Sequence, residues 1–315
     1  MKEKTEHVEQ TFSDSFWAMN TQIEHALRTE NANEAAKLFS RIRRDIRDFE
    51  NRFSRFKPDS ELSYVNSHPE TKIKVTQEMM AILLCAEQAW HVTGGYVDAA
   101  VGKALISAGY SASFEILDQA QSTHRTVPEK QMDFSHVTLD RTNNIVMRPV
   151  GLLFDFGGIG KGYLLDKLAG QFEEVSHNFW ISLGGDLIVS GTDEDGSSWP
   201  VSVQNPQDLT KNIGVLHTNK NRFGVATSGI TKRKGTSWHH LIDPHTWLPS
   251  ESDTLGATVI APSALEADIS AKMVLLRGTK EGLQWATKKK LDALAISRSG
   301  KLFKTAKMNI SPIRK

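Results

Sequence analysis

The stretch FDFGGIGKGYLLDK, residues 154–167, joins an apolar segment typical of a strand to an apolar segment typical of a helix. Between them lie Gly157, Gly158 and Gly160, followed by Lys161. Glycine lets the backbone turn sharply and approach a ligand closely, and the N–H groups at the start of a helix attract an anion. The stretch therefore indicates a phosphate site, although a plain glycine-rich turn with a solvated lysine has the same pattern.

Two familiar glycine loops do not fit this stretch. A dinucleotide-binding loop needs the pattern G-x-G-x-x-G, whereas the residues from Gly158 onward read G-I-G-K-G-Y. A Walker loop needs a glycine five residues before its Gly-Lys pair and Ser or Thr after the pair, where this chain has Asp155 and Gly162. What remains is a lysine between two acids, Asp155 and Asp166, beside glycine amides that can share a phosphate with it.

The bulk composition excludes several classes of protein. In 315 residues, 38 Lys and Arg stand against 37 Asp and Glu, so the net charge of +1 gives no general attraction to nucleic acid or anionic lipid. Cys85 is the single cysteine, which excludes a disulfide framework and a cysteine-rich metal site. Residues 1–16 are polar and lack the apolar run of a signal peptide or membrane anchor, so we expect a cytoplasmic protein.

Helical and strand patterns alternate along the chain, which favours one mixed α/β (α+β) domain. The helices that we predict run over 34–53 with Asn33 as the N-cap, over 77–92 between Thr76 and Gly94, from Lys161 to Gly170, and onward from a capping box at Ser263 and Glu266. Short runs between 179 and 229 predict strands, and a turn at 298–300 predicts a closing hairpin.

Further segments combine glycines with acids, an aromatic residue or histidines. They are FSRFKPDSELSYVN (53–66) with Arg55, Phe56 and Glu61, GGYVDAAVGKAL (94–105) with Asp98, ISLGGDLIVSG (181–191), VATSGITKRKGTSWHHLIDPHTW (225–247) with Ser228, His239 and His240, and SALEADISAKMV (263–274) with Asp268.

In this order and at these separations, the segments resemble the ApbE family of flavin transferases, which move FMN from FAD onto a protein. The resemblance runs from about residue 17 to 300, most of the chain, and these six segments must occur in order. The family's Ser-Arg-aromatic, Ser-Glu-Leu-Ser, Asp-x-Gly-Gly-Ile-x-Lys-Gly-Tyr-x-x-Asp, Ala-Thr-Ser-Gly and His-x-Ile-Asp-Pro-x-Thr motifs match residues 54–56, 60–63, 155–166, 226–229 and 240–246.

The resemblance implies a single T-fold-like domain of ApbE type that holds FAD in a cleft. We assign this domain to residues 17–305, between a polar segment at 1–16 and a basic tail at 306–315. By the same resemblance, Phe56 stacks on the isoalloxazine ring, and FAD is bound by Phe56, Glu61, Asp98, Gly158, Lys161, Asp166, Ser228 and His240. The implied catalytic residues are Lys161, His240 and Asp268, and Mg²⁺ is held by Asp268 and by backbone oxygen at Gly160 and Ala271.

Several of these roles stay open. His240 either serves the acceptor hydroxyl as a base or positioning group, or only bonds to the turn at Asp243. Asp98 and Glu61 fit the orientation of ligand or loops better than chemistry. Asp166 is either a ligand contact or a charge that favours a helix start.

The main departure from the family pattern is Lys272, where the family usually has threonine. A protonated lysine is a poor ligand for a cation that prefers oxygen, which puts the magnesium site in question. Lys272 follows Asp268 by four residues, so the two can pair on one helix. Our hypothesis is that the ammonium replaces part of the magnesium charge or reaches the pyrophosphate itself. Smaller departures are Trp247 and Asn20, each in place of a usual glycine.

The acceptor that this resemblance implies is a second protein. The family reads Asp-Gly-x-Ser/Thr-Gly/Ala-Thr, and the nearest stretch here, residues 195–200, fails at its last two positions. Self-flavinylation is therefore not expected. Two alternatives use the same site: a hydrolase that gives FMN and AMP, and a flavin-binding protein without metal-dependent transfer.

Overall fold

The computed structural model describes residues 9–110, 127–232, 234–235 and 239–312. The helices are α1 (Ala32–Phe53), α2 (Glu61–Ser67), α3 (Gln77–Thr93), α4 (Gly102–Ser107), α5 (Gly160–Glu173), α6 (Ala264–Arg277) and α7 (Thr279–Lys288). The strands are β1 (Gln10–Ala18), β2 (Thr21–Thr29), β3 (Lys72–Lys74), β4 (Thr138–Asp140), β5 (Ile145–Met147), β6 (Phe179–Leu183), β7 (Asp186–Ser190), β8 (Val201–Asn205), β9 (Asp208–His217), β10 (Arg222–Gly229), β11 (Ile242–Asp243), β12 (Leu248–Pro249), β13 (Thr254–Ala261), β14 (Asp292–Ser297), β15 (Leu302–Lys304) and β16 (Asn309–Ser311).

The largest sheet has eight strands in the order β1-β2-β6-β7-β10-β13-β14-β15, and all neighbours in it are antiparallel. Smaller antiparallel sheets have the orders β16-β9-β8, β3-β5-β4 and β11-β12. Helices packed beside antiparallel sheets confirm the predicted mixed α/β class. The predicted strands between 179 and 229 and the hairpin of β14 and β15 are also confirmed.

Helices α5 and α6 pack side by side, and both contact strand β7 of the large sheet. Their close approach depends on Gly162, because a Cβ atom there would lie 2.6 Å from the Cα atom of Leu265. Helix α1 contacts α5, β1 and β2 and buries a stripe that includes Leu38, Ile42 and Ile46. The start of α5, which carries the glycine turn, is thereby held between α1 and α6.

Helix boundaries follow the predicted caps at α3 and at the start of α6, and depart from them at two others. Helix α3 has its predicted caps, since Thr76 accepts a hydrogen bond at its start and Gly94 ends it in the left-handed conformation. The N-cap of α1 is Asn31 rather than Asn33, because the Asn31 side chain accepts the first N–H groups of the helix. Helix α5 continues past Gly170, and its last turn buries Phe172 completely.

The structure extends the sheets beyond the predicted limits of the domain. Strand β1 begins at Gln10, so part of the predicted polar segment 1–16 pairs with β2 along the sheet edge. Its polar residues alternate with inward-facing ones such as Phe16, which explains why the segment reads as polar. At the other end, β16 pairs with β9, so the predicted tail at 306–315 includes a strand.

Membrane-spanning helices do not occur in the described part of the chain, because none of its helices is both long and apolar enough.

Candidate active site

A cleft lies beside the glycine turn, where the start of α5 meets the segments that follow α1 and α3. The predicted site residues that line it are Phe56, Asp98, Gly158, Gly160, Lys161 and His240. Lys272 lines the same cleft. Residues that are far apart in sequence are therefore brought together around the glycine turn.

The glycine turn is closed by the carboxylate that precedes it. The Asp155 Oδ1 atom accepts a hydrogen bond from the Gly157 N–H at 2.7 Å, and a Cβ atom at Gly157 would lie 2.8 Å from that oxygen. Helix α5 then begins, and its N-cap residue Ile159 offers no side-chain hydrogen bond. Two of its first N–H groups already have acceptors, since the Gly160 N–H donates to the Phe156 carbonyl at 2.7 Å and the Gly162 N–H donates to Asp268. The attraction of this helix start for an anion therefore rests on the helix dipole and on Lys161.

Lys161, the lysine of the turn, forms an ion pair with Asp186 at the start of β7. The second oxygen of Asp186 accepts a hydrogen bond from the Thr227 N–H on β10 at 3.1 Å. The side chain of Asp186 is 2% exposed and that of Lys161 is 20% exposed, so the pair is anchored on the buried side. Asp186 was not predicted as a site residue, although it directly follows the Gly184-Gly185 pair that the sequence singled out.

Lys272 forms a second ion pair, with Asp268 one turn earlier on α6. The Asp268 side chain is 1% exposed and does not line the cleft, whereas Lys272 lies between it and the cleft surface. The second Asp268 oxygen accepts a hydrogen bond from the Gly162 N–H at 3.3 Å. The stem of Lys272 lies against the glycine turn, since its Cε atom is 3.7 Å from the Cβ position of Gly158.

The donor set around Asp268 does not fit magnesium. Mg²⁺ needs oxygen ligands in near-octahedral geometry, and an ammonium contacts the carboxylate that would have to bind it. Ala271, one of the predicted backbone ligands, lies on α6 and is completely buried in the core. Within the described residues, no group of three or more His, Cys, Asp or Glu side chains has the arrangement of a metal site.

Arg55 and Phe56 also line the cleft. Arg55 Nε donates to Asp155 Oδ2 at 2.5 Å, and the guanidinium lies 4.1 Å from the centre of the Phe56 ring. The Tyr110 ring meets Phe56 edge-on at 5.5 Å between centroids. Arg55, which is held by Asp155 of the glycine turn, therefore orients the Phe56 ring. The pairing of Arg55 with Asp155, 100 positions away, was not predicted from the sequence.

The adjacent histidines have different environments. His239 is buried, its Nε2 atom is 2.9 Å from the Ser250 carbonyl oxygen, and its Nδ1 atom accepts from the Leu241 N–H. His240 lines the cleft. At the turn that follows, His245 contacts the Asp243 carboxylate, with its Nδ1 atom 3.1 Å from Oδ1. His240 is thus the histidine of this segment that is placed to meet a substrate.

Asp98 is a buried acid at the edge of the cleft. It accepts hydrogen bonds from the Ala100 N–H at 2.7 Å and the Phe134 N–H at 3.1 Å. Burial raises its pKa to about 7, although both N–H groups favour the ionised form and act in the opposite direction. These bonds tie together two chain segments, which matches the orienting role expected for Asp98.

The remaining predicted residues do not line the cleft. Glu61 accepts two hydrogen bonds from Thr76, the cap of α3. Both oxygens of Asp166 accept from N–H groups at the start of α6, at 2.8 and 2.9 Å, so this acid caps a helix. Ser228 is buried on β10, where it pairs with β13. The geometry gives Glu61 and Asp166 structural roles, because their oxygens are already used by backbone N–H groups and a hydroxyl.

Two departures from the family pattern coincide with left-handed backbone. Asn20 has φ 55° in the turn between β1 and β2, and Trp247 has φ 60°. Glycine adopts this conformation without steric cost, which explains why a glycine is usual at each position. Asn20 lines the cleft and Trp247 is buried against α4, so both side chains are placed in contact with the structure around the site.

The sequence of this chain is similar to those of known proteins of one family. The ApbE family pattern matches residues 19–295. The FAD:protein FMN transferase of Haemophilus influenzae is 26% identical over 281 residues, which is 85% of this chain and 81% of that protein. The FAD:protein FMN transferase of Salmonella typhimurium is 27% identical over 284 residues, which is 87% of this chain and 81% of that protein.

Solved structures support the fold. The flavin transferase ApbE of Vibrio cholerae superposes with a TM-score of 0.80 at 21% identity, over 95% of this chain and 98% of that chain. The ApbE protein of Thermotoga maritima superposes with a TM-score of 0.84 at 23% identity, over 94% of this chain and 97% of that chain. The predicted ApbE-type fold is confirmed, and the chain belongs to the ApbE family.

Proposed function

We propose that this chain binds FAD in the cleft and transfers FMN to a threonine or serine hydroxyl of an acceptor protein, with release of AMP. The observation that carries the proposal is the meeting of Phe56, Gly158, Lys161 and His240 along one cleft. Relatives that are named FAD:protein FMN transferase, and that match more than four fifths of the chain, support it.

Each residue has a role that its position supports. Phe56, held by Arg55, stacks on the isoalloxazine ring. Lys161 and the start of α5 lie where they can stabilise the negative charge of the pyrophosphate. His240 accepts the proton of the attacking hydroxyl.

The transfer balances without any further reactant. The acceptor oxygen forms a bond to the FMN phosphorus, and the bond from that phosphorus to the bridging oxygen of the pyrophosphate breaks. AMP leaves with the bridging oxygen, and the hydroxyl proton passes to His240. Most of the catalysis is positioning and charge stabilisation, as in other phosphoryl transfers.

Magnesium, a cytoplasmic location and the acceptor motif stay predictions from the sequence. The Lys272 ammonium contacts the carboxylate that would have to bind magnesium, so no step is assigned to a metal.

The test is to incubate FAD with the protein and an acceptor that carries the motif, with EDTA or with Mg²⁺, and to measure AMP, free FMN and acceptor-bound flavin. We expect AMP and acceptor-bound flavin to appear in equal amounts. An acceptor with alanine in place of its target residue should give neither. AMP with an equal amount of free FMN would instead identify a hydrolase, and intact bound FAD would identify a binding protein.

His240 is tested by His240→Asn, which removes the base while keeping a polar side chain. We expect the transfer rate at saturating FAD to fall about 100-fold, the lower end of general-base effects. The matched control is His136→Asn, because His136 is exposed and does not line the cleft. An equal loss in both variants would contradict the role of His240.

A further inference from the structure

We propose that Lys272 supplies a built-in positive charge for the pyrophosphate of FAD, so that FAD binding by this chain needs no divalent cation. This inference rests on the proposed function, because it takes FAD as the ligand of the cleft. It differs from the sequence resemblance, which implies a magnesium site at the same place.

The position of Lys272 is the first argument. Its side chain runs from the middle of α6 to the cleft, and its Cε atom packs against Gly158 of the glycine turn. The start of α5 and Lys161 line the same part of the cleft. A phosphate group bound by the glycine turn would therefore lie next to the Lys272 ammonium.

The way in which Lys272 is held is the second argument. Its partner Asp268 is almost completely buried and has its second oxygen bonded to the Gly162 N–H, so the carboxylate is fixed from both sides. An ammonium has three N–H donors, and the carboxylate oxygen takes one of them. The arrangement fixes the direction of the ammonium and leaves it able to donate to a phosphate oxygen.

The resemblance between the two lysines is the third argument. Lys161 and Lys272 each pair with an aspartate that is no more than 2% exposed, and both lysines line the cleft. Each pair is neutral by itself, which limits the cost of burying the charges. With the aspartates counted the net charge is zero, so each ammonium would act on the pyrophosphate through a charge-assisted hydrogen bond to a phosphate oxygen.

A divalent cation would have to displace the ammonium to reach Asp268. The carboxylate cannot bind both, because one oxygen contacts Lys272 and the other is bonded to the α5 backbone. The competing explanation is that Lys272 and Asp268 form a salt bridge that only stabilises α6. The two explanations differ in what they predict for ligand binding.

The experiment measures the dissociation constant of FAD by titration calorimetry, with EDTA and with saturating Mg²⁺. For the unmodified protein we expect the two values to agree within about twofold. Lys272→Met should raise the constant by about tenfold or more in both conditions, as expected for one charge-assisted hydrogen bond. Lys167→Met is the matched control, since Lys167 lies on the exposed side of α5 and does not line the cleft.

A third variant, Lys272→Thr, tests whether the ammonium takes the place of a cation. It should bind FAD weakly with EDTA and recover most of the affinity with Mg²⁺, because Asp268 is then available to the metal and the threonine hydroxyl adds the second oxygen ligand that methionine lacks. If Lys272→Thr stays indifferent to Mg²⁺, or if Lys272→Met binds FAD as tightly as the unmodified protein, the inference is wrong.

The comparison of EDTA with Mg²⁺ on the unmodified protein needs no variant, so it decides the question even if the variants fail to fold. An FAD affinity that rises about tenfold or more with Mg²⁺ overturns the inference, and so does a failure to bind FAD in either condition. Metal-independent FAD binding without AMP release overturns the proposed transfer and leaves the inference intact.

Discussion

At the cleft, Lys161 and Lys272 each form an ion pair with a buried aspartate. Beneath the hairpin of β1 and β2, by contrast, His25 is buried, and neither of its ring nitrogens has a hydrogen bond among the described residues. His25 lies on β2 and is completely buried. Its ring packs against Phe16, Phe39 and Phe172.

The two regions offset the free-energy cost of burying a titratable side chain by different means. Near the cleft the charges are retained and compensated, because the proposed ligand is an anion and needs them. Beneath the hairpin, burial lowers the pKa of His25 to about 4, although Asp14, 3.9 Å away, acts in the opposite direction. His25 is therefore neutral near neutral pH and behaves as part of the apolar core.

This difference teaches that a buried titratable group is not by itself a sign of function. The paired aspartates and lysines mark the site because they lie at a cleft, while His25 is as deeply buried but lies in a packed apolar cluster. The difference also predicts how each region responds when a charge is removed or added.

The largest effect is expected from Asp186→Asn, which leaves the Lys161 ammonium without its carboxylate. Breaking a buried ion pair at one partner costs about 3 kcal/mol or more in the free energy of unfolding. Urea unfolding at neutral pH measures the change. The double variant Lys161→Met, Asp186→Asn should regain most of the loss, since it removes both charges and keeps an oxygen that can accept from the Thr227 N–H.

The matched control for that prediction is Asp208→Asn, at an ion pair on the protein surface. Lys211 and Asp208 are 73% and 37% exposed, and water and salt screen such pairs. We expect no measurable change in stability. A loss for Asp208→Asn as large as that for Asp186→Asn would remove the distinction between the cleft and the surface.

The next largest effect concerns His25 and appears only in acid. The unfolded chain takes up a proton on His25 near its ordinary pKa of 6.5, whereas the folded chain does so only near 4. Since the unfolded state binds more protons between these values, stability falls as the pH is lowered through this range. The contribution lost on reaching pH 4 is about 3 kcal/mol, from the size of the pKa change.

The measurement compares the unmodified protein with His25→Leu by urea unfolding at neutral pH and at about pH 4. Carboxylates elsewhere titrate in both proteins, so their contribution cancels in the difference. The advantage of His25→Leu should grow by about 3 kcal/mol toward acid pH. Parallel curves for the two proteins would mean that His25 does not titrate with a lowered pKa.

Most of the fold could be predicted from the sequence because the signals are local. Thr76 and Gly94 mark the ends of α3, and the Ser263 hydroxyl accepts from the Glu266 N–H at the start of α6. The edge strand β1 was missed because most of its outward residues are polar and only a few of its side chains face the core.

The site was predicted only in part, because ion pairs across the fold leave little trace in sequence. Lys161, His240 and Phe56 could be assigned from their motifs, and all three line the cleft. Asp186 is separated from Lys161 by 25 positions and Arg55 from Asp155 by 100, so neither pairing follows from spacing. Asp166 belongs to the glycine motif yet caps α6, since the motif encodes helix packing as well as ligand binding.

The smallest effect in this series concerns the packing that brings the two lysines to one cleft. Lys161 lies on α5 and Lys272 on α6, and the contact between these helices leaves no room for a side chain at Gly162. An added Cβ would meet backbone atoms of α6, which cannot move aside as a flexible side chain can. Gly162→Ala should therefore lower the free energy of unfolding by about 2 kcal/mol.

Gly170→Ala is the matched control on the same helix, because nothing lies within 4 Å of its Cβ position. Alanine is the better helix former, so this variant should raise stability by about 0.5 to 1 kcal/mol. Chemical unfolding of both variants measures the difference between a glycine that the helix contact requires and one that the helix only tolerates. If Gly162→Ala also stabilises the protein, the helices are not held together at Gly162, and the alignment of the two lysines must depend on their aspartates alone.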